Sequence, residues 1–173
     1  LLDNLKKVET INDIVVATSK DKSNDKLAVY LENQNYSFFR GSEDNVLDRF
    51  YKIALKYNAQ NIIRITADCP LLDIYILKEM IKIYFKKDID YICNVDPPTW
   101  PDGLDIEIFN FKAIQIAWRK STTKYEKEHV TPYLKNNREI KKFNYRHKHD
   151  FSHERWTLDE KEDLVVISNI INN

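Results

Sequence analysis

Two carboxylates occupy the positions where an α/β protein places its chemistry. Asp68 stands in the stretch Asn61 to Asp73 (NIIRITADCPLLD), after an apolar run with strand character and before a proline that turns the chain. In an open parallel sheet, ligands bind beyond the carboxyl ends of the strands, so an acid there faces the site. Asp159, in Arg155 to Asp163 (RWTLDEKED), repeats that context between a strand-like run and a helix. Oxygen donors of this kind suit Mg²⁺, which takes one or two protein carboxylates and completes its shell with water and substrate phosphates. Each acid also has a structural reading as a cap or turn residue. Asp73, directly ahead of an apolar helix, is the better cap near Asp68, whereas Asp159 is itself well placed to cap the last helix. Asp163 reads as a solvated acid of that helix's first turn.

Other groups carry weaker signals. Arg40, Gly41 and Ser42 follow a short strand and combine a guanidinium, exposed backbone and a hydroxyl. That set can read a nucleobase edge or hold a phosphate, and it is also an ordinary turn. Trp100 to Gly103 (WPDG) presents an aromatic ring next to Asp102. Asp105 and Glu107 lie two apart in Leu104 to Phe109, which alternates apolar with acidic residues like a strand with one face in solvent. His129 on a helix reads as a core or interface residue. The tract 141–150, with His147 and His149, reads as a basic solvated loop.

The elements that must position these residues follow from periodicity. Asp13 to Ser19, Tyr36 to Phe39, the run before Asp68, and Asp90 to Asn94 read as strands. Residues 1–9, Asp25 to Glu32, Val46 to Tyr57 and Asp73 to Phe85 read as helices, which gives the alternation of a parallel sheet layered with helices. After a proline-rich loop come the strand Leu104 to Phe109, helices over Phe111 to Lys120 and Lys124 to Asn136, strands over Ile140 to Tyr145 and Arg155 to Leu158, and a closing helix from Glu160. Pro132 must kink or restart its helix. No linker or repeat interrupts the 173 residues, so they read as one α/β domain, 1–173, long enough for a full core.

Composition excludes several classes. Lysine plus arginine, 27, equals aspartate plus glutamate, 27, so no overall positive field draws a nucleic acid or an anionic membrane. No apolar run approaches the roughly 18 residues of a membrane span, and the first residues do not form a signal peptide; the reading is a cytoplasmic protein. Cys69 and Cys93 form no metal-binding pair and read as buried thiols. The chain has only two glycines, Gly41 and Gly103, where average usage would give about twelve. Those two are therefore expected where a side chain would clash or φ must be positive.

Taken in order, Asp13 to Ser19, Arg40 to Arg49, Arg64 to Asp73, Tyr91 to Asn94, Trp100 to Phe109, Glu128 to Tyr133 and Arg155 to Glu160 resemble the cytidylyltransferase family of the SpsF, spore-coat polysaccharide type. More distantly they resemble the CMP-KDO and CMP-sialic acid synthetases. The resemblance implies a three-layer α/β/α, nucleotide-diphospho-sugar transferase-like (Rossmann-like) fold with a mainly parallel sheet. It implies CTP and a sugar as substrates, joined as a CMP-sugar with loss of pyrophosphate, and a homodimer. Asp68 and Asp159 would match the metal-binding acids, Arg40, Gly41 and Ser42 the region that meets the cytosine, and Asp102 and Gly103 the sugar pocket. Arg64 and Arg155 would help at the triphosphate or a sugar carboxylate, or serve as structural ion-pair partners.

Two rivals stand beside this reading. One is a glycosyltransferase with a similar nucleotide-binding core, for which Asp88 and Asp90 supply a literal Asp-x-Asp. The other is a non-catalytic binding or assembly homologue. Members of the resembled family open with a strand and a basic, glycine-containing loop that wraps the triphosphate, and the sequence starts after it, so the first βα unit is expected to be lacking. The 173-residue chain is accordingly expected to bind CTP weakly and turn over slowly; calorimetric titration with CTP and Mg²⁺ checks this, and tight binding would contradict it.

Overall fold

Short runs of β-branched and aromatic residues form the strands, and the amphipathic stretches between them form the helices. The computed structural model describes residues 1–172. In chain order these are α1 (Leu2–Leu5), β1 (Val16–Ser19), a 3₁₀ turn (Lys22–Asn24), α2 (Asp25–Asn33), β2 (Phe38–Gly41), α3 (Val46–Lys56), β3 (Asn61–Arg64) and α4 (Ile74–Lys87). Then follow β4 (Tyr91–Cys93), β5 (Glu107–Asn110), α5 (Phe111–Lys120), α6 (Lys124–His129), α7 (Pro132–Asn136), β6 (Lys142–Asn144) and α8 (Lys161–Asn172). Among the described residues no helix is long and apolar enough to cross a membrane.

The fold class is α/β, as the sequence indicates, but the strands form two sheets, one of β1 and β2 and one in the order β3-β5-β4-β6. The chain divides into two compact units. One comprises Leu1–Val8, Ile63–Ile108 and the chain from Lys142 on; the other comprises Glu9–Ile62 and Phe109–Lys141.

The first unit carries Asp68, Asp102 and Asp159. β4 and β6 pair in parallel, with Tyr91 opposite Lys142 and Cys93 opposite Asn144. Helix α4 starts where Asp73 accepts the Tyr75 N–H at 2.7 Å and stops where Asp88 adopts a left-handed conformation. Its buried residues Ile76, Leu77, Met80, Ile81 and Tyr84 recur at helical spacing, which gives it one apolar stripe to bury. Tyr91, Ile92, Ile106 and Ile108 add further core.

In the second unit β1 and β2 are parallel, from Val16 opposite Phe38 to Ser19 opposite Gly41. Helices α3 and α5 meet through Tyr51, which stacks on Trp118 at 4.4 Å and Phe111 at 5.9 Å, and the Trp118 indole N–H donates to Asp48 at 3.0 Å. Thr123 and Glu126 form a reciprocal capping box that starts α6. A γ-turn centred on Val130 (φ 71°) ends it, with the Thr131 N–H donating to the His129 carbonyl at 2.8 Å. Pro132 then opens α7, so the proline restarts the helix.

Three local expectations change. The strand before Asp68 ends at Arg64, which leaves Asp68 in the following turn. Arg155 to Leu158 forms no strand and makes a single bridge, from Arg155 to Asp102. The third concerns β5: its one acid, Glu107, meets Arg64 of β3 and Tyr91 of β4 instead of solvent. Glu107 is 2% exposed; it takes an ion pair from Arg64 Nη1 at 2.6 Å and a hydrogen bond from the Tyr91 hydroxyl at 2.5 Å. A carboxylate survives burial only when paired and hydrogen-bonded. Burial first, and then the Glu107 charge, push the Tyr91 hydroxyl well above its ordinary pKa.

Removing one member of this buried pair strands the other. Glu107→Gln is therefore expected to cost about 3 to 5 kcal/mol and Tyr91→Phe about 1.5 to 3 kcal/mol. Arg64→Met with Tyr91→Phe and Glu107→Leu, which leaves no member unpartnered, should recover most of the loss, and urea unfolding of the set checks the non-additivity.

Candidate active site

The first unit builds its site from three backbone attachments. The Leu158 N–H donates to the Asp68 carbonyl at 2.8 Å, the Asp102 N–H to the Glu154 carbonyl at 3.0 Å, and the Trp156 N–H to the Asp102 carbonyl at 2.7 Å. Segment 154–158 is thereby strapped to both the Asp68 turn and the Asp102 loop. Gly103 makes the close approach feasible. It has φ +106°, and a Cβ there would lie 2.7 Å from the Trp156 carbonyl carbon and 2.8 Å from its oxygen. Only glycine suits both the conformation and the space.

Asp68 is partly exposed, in a turn held by the Cys69 N–H to Thr66 carbonyl bond of 3.3 Å. Its Oδ1 accepts only a long contact of 3.5 Å from the Cys69 thiol. That thiol is 1% exposed, and burial pushes its pKa up to about 11, so it is a neutral packing group and not a nucleophile.

Asp159 follows the strap directly. Its Oδ2 accepts from the Thr157 hydroxyl at 2.7 Å and from Arg155 Nη1 at 3.2 Å. The capping work expected of Asp159 falls instead to Asp163. The Asp163 carboxylate accepts the N–H groups of Glu160 at 2.8 Å and Asp159 at 3.0 Å, and takes Arg155 through both terminal nitrogens at 2.6 and 3.1 Å. At 16% exposure it is not the solvated acid that its position suggested. The Glu160 amide first, then Arg155, hold its pKa down to about 2. Asp159 is thus freed from capping and stays half exposed.

A further acid that the sequence reading left open joins this group. Asp105, partly buried, has its carboxyl pushed up to about 6, first by burial and then by the charges of Asp102, Glu107 and Asp68. The alternation of apolar and acidic residues around it was the available signal, and it suggested a solvated face instead. Negative charge therefore gathers where the Asp68 turn and the Asp102 loop meet. Among the described residues no three His, Cys, Asp or Glu side chains form a ready-made metal cage. Mg²⁺ does not require one, since water and phosphate oxygens fill most of its shell, and carboxylates such as those of Asp68 and Asp159 are the donors it takes.

The other candidates are more firmly engaged. Arg64 is taken up by Glu107. In the second unit Arg40 donates to the carbonyls of Ser19 and Asp21, each at 2.9 Å, and to the Asp25 carboxylate at 2.7 Å, which ties β2 to the 3₁₀ turn and α2. Ser42 Oγ accepts the Asn45 N–H at 3.1 Å, and Gly41 is buried. His129 is exposed against Tyr125. His147, expected in a solvated loop, packs against Trp100 at 4.6 Å and Phe151 at 5.1 Å. A shallow cleft of about 440 Å³ in the second unit, lined by Asp44, Asn45, Thr122, Lys124 and Lys127, contains none of the predicted residues.

The family model for cytidylyltransferases matches residues 1–166. The chain belongs to the cytidylyltransferase family. It is 31% identical over 160 residues to the spore coat polysaccharide biosynthesis protein SpsF of Bacillus subtilis, covering 90% of this chain and 65% of that protein. It is 37% identical over 145 residues to an uncharacterized protein of Methanocaldococcus jannaschii, covering 84% and 58%. A solved cytidylyltransferase from Leptospira borgpetersenii serovar Hardjo-bovis superposes with a TM-score of 0.85 at 32% identity, covering 92% of this chain and 68% of that one. The chain therefore spans about three fifths of the length of these two sequence relatives.

The Asp105 environment gives a pH signature. A carboxyl whose folded pKa is raised contributes stability that is complete below its unfolded pKa and is lost as pH rises through the folded value. Asp105→Asn should match the parent chain near pH 4 and exceed it at pH 7 by about 2 to 3 kcal/mol, the linkage value for a carboxyl moved from its usual range to about 6. Urea unfolding at the two pH values reads this, and a loss of stability at pH 7 would contradict it.

Proposed function

We propose that this protein transfers CMP from CTP to a hydroxyl of a sugar, an acidic sugar or one destined for a cell-surface polysaccharide, and releases pyrophosphate in the cytoplasm. In this reaction the sugar oxygen attacks the α-phosphorus, its proton is lost, and the bond from the α-phosphorus to the pyrophosphate oxygen breaks. The main demands are in-line positioning and neutralisation of charge on the phosphate oxygens. Asp68 and Asp159 are the residues that would hold Mg²⁺, which supplies that neutralising charge when bound. Thr157 and Arg155 orient the Asp159 carboxylate, Asp163 fixes Arg155 and relieves Asp159 of capping, and Gly103 lets the Asp102 loop close against the strap.

The observation that carries the proposal is the hydrogen bond from the Leu158 N–H to the Asp68 carbonyl. It brings the residue next to Asp159 against Asp68, although the two acids are distant in sequence. The name of the Bacillus subtilis relative, spore coat polysaccharide biosynthesis protein SpsF, supports a sugar acceptor. The glycosyltransferase reading gains nothing from the fold, since Asp88 ends helix α4 and its Asp-x-Asp precedes β4 instead of following a strand.

The test is a single-turnover incubation of excess protein with CTP labelled at the α-phosphate, Mg²⁺ and candidate sugars. Label should enter a CMP-sugar with equimolar pyrophosphate. Asp68→Asn and Asp159→Asn should each slow transfer at least about 100-fold while changing stability by less than about 1 kcal/mol. Transfer at the parent rate in either variant would contradict the assignment.

A further inference from the structure

We propose that Arg49, and not Arg40, is the cation that the β1–β2 unit offers to the phosphate chain of the nucleotide. The identity of the ligand rests on the cytidylyltransferase reading; the assignment of the residue rests on what surrounds it.

Arg49 lies in the first turns of α3, and its aliphatic stem crosses Gly41. A Cβ on Gly41 would collide with Arg49 Cγ and sit 3.2 Å from Cδ, so the absent side chain at Gly41 makes the channel through which Arg49 passes. Its Nη1 donates to the Ala17 carbonyl at 3.1 Å, and its Nε is buried without a hydrogen-bond partner. Glu43 influences it only at a distance, and burial lowers its pKa. The other two arginines withdrawn from the surface are both neutralised, Arg40 by Asp25 and Arg64 by Glu107. Arg49 makes no ion pair among the described residues.

A guanidinium held partly out of water without a counter-charge costs stability, and such costs persist where a ligand supplies the missing group. The stem passes Gly41, the last residue of β2, beyond which parallel sheets hold their ligands, and the guanidinium reaches back along β1 to the Ala17 carbonyl. The chemistry fits as well. What Arg49 lacks is a negative charge, which a cytosine edge does not offer. The Nη1 and Nη2 fork matches the paired oxygens of a phosphate, and Nη2 makes no hydrogen bond within the described residues. Arg40 is neutralised by Asp25 and held by two carbonyls through its Nε and Nη2, so a phosphate arriving there would meet a charge already paired.

The experiment uses ¹H–¹⁵N spectra of the arginine Nε–Hε groups. Burial protects the Arg49 resonance from exchange, and Arg49→Lys assigns it by its disappearance. Titration with CTP, and separately with inorganic tripolyphosphate, should shift this resonance to saturation, whereas cytidine should leave it in place. In binding assays Arg49→Gln should weaken CTP at least about 10-fold, the lower bound for a hydrogen bond to a charged group; Arg49→Lys should recover part of it, and Lys56→Gln on the same helix should change nothing. A resonance unmoved by both phosphates, or moved as far by cytidine, overturns the assignment. CMP transfer at the parent rate in Arg49→Gln would overturn it while leaving the proposed reaction standing. A normal phosphate response with no CMP transfer to any sugar would sink the reaction and leave the phosphate contact standing.

Discussion

Three main-chain hydrogen bonds decide whether the first unit has a site. The strap 154–158 has no strand partner of its own beyond one bridge, yet it binds the Asp68 turn through Leu158 and the Asp102 loop through Glu154 and Trp156. Main-chain bonds of this kind do not depend on rotamers, so they fix the separation of Asp68 and Asp159 before any side chain is oriented. Gly103 is the steric condition for the arrangement, because any Cβ there would force the loop away from the Trp156 carbonyl. The metal assignment, the pH signature and the order of the loops all depend on this close approach.

Charge is managed around that frame by assigning each acid a separate task. Glu107 is deeply buried and satisfied by Arg64 and Tyr91, so it acts as a fixed negative charge beneath the site. Asp163 is saturated by two backbone amides and Arg155. Asp105 is crowded by like charges and held toward its neutral form. Asp68 has only a thiol contact, and Asp159, held through Oδ2 by Thr157 and Arg155, stays half exposed. A cation placed between such acids would relieve repulsion as well as bind substrate phosphate. In the second unit the imbalance has the opposite sign, with Arg49 the unneutralised group.

Much of this was legible in the sequence. Helices α3, α4 and α5 begin within a residue of where their apolar periodicity starts, because local amphipathicity and caps set those limits. Both glycines occupy positions that exclude a side chain. The readings that failed depended on partners remote in sequence. Glu107 looked solvent-facing because alternation cannot reveal that Arg64 and Tyr91 await it in a central strand. Asp163 looked idle because reaching back to the Asp159 and Glu160 amides, and gripping Arg155, is a matter of side-chain direction. The three acceptors that hold Arg40 were equally hidden, and Arg49 drew no notice inside an amphipathic helix. The two-sheet division was likewise hidden, since periodicity marks strands and not their neighbours.

The central claim is that Asp68 and Asp159 serve one divalent cation. Paramagnetic broadening by Mn²⁺, followed in ¹H–¹⁵N spectra at substoichiometric metal, measures this directly. The account predicts that the amides of Asp68, Cys69, Leu158 and Asp159 broaden first and together, that Asp102 and Asp105 follow, and that Mg²⁺ reverses the effect. Broadening confined to one of the two acids, or spread over exposed carboxylates elsewhere with neither favoured, would contradict it.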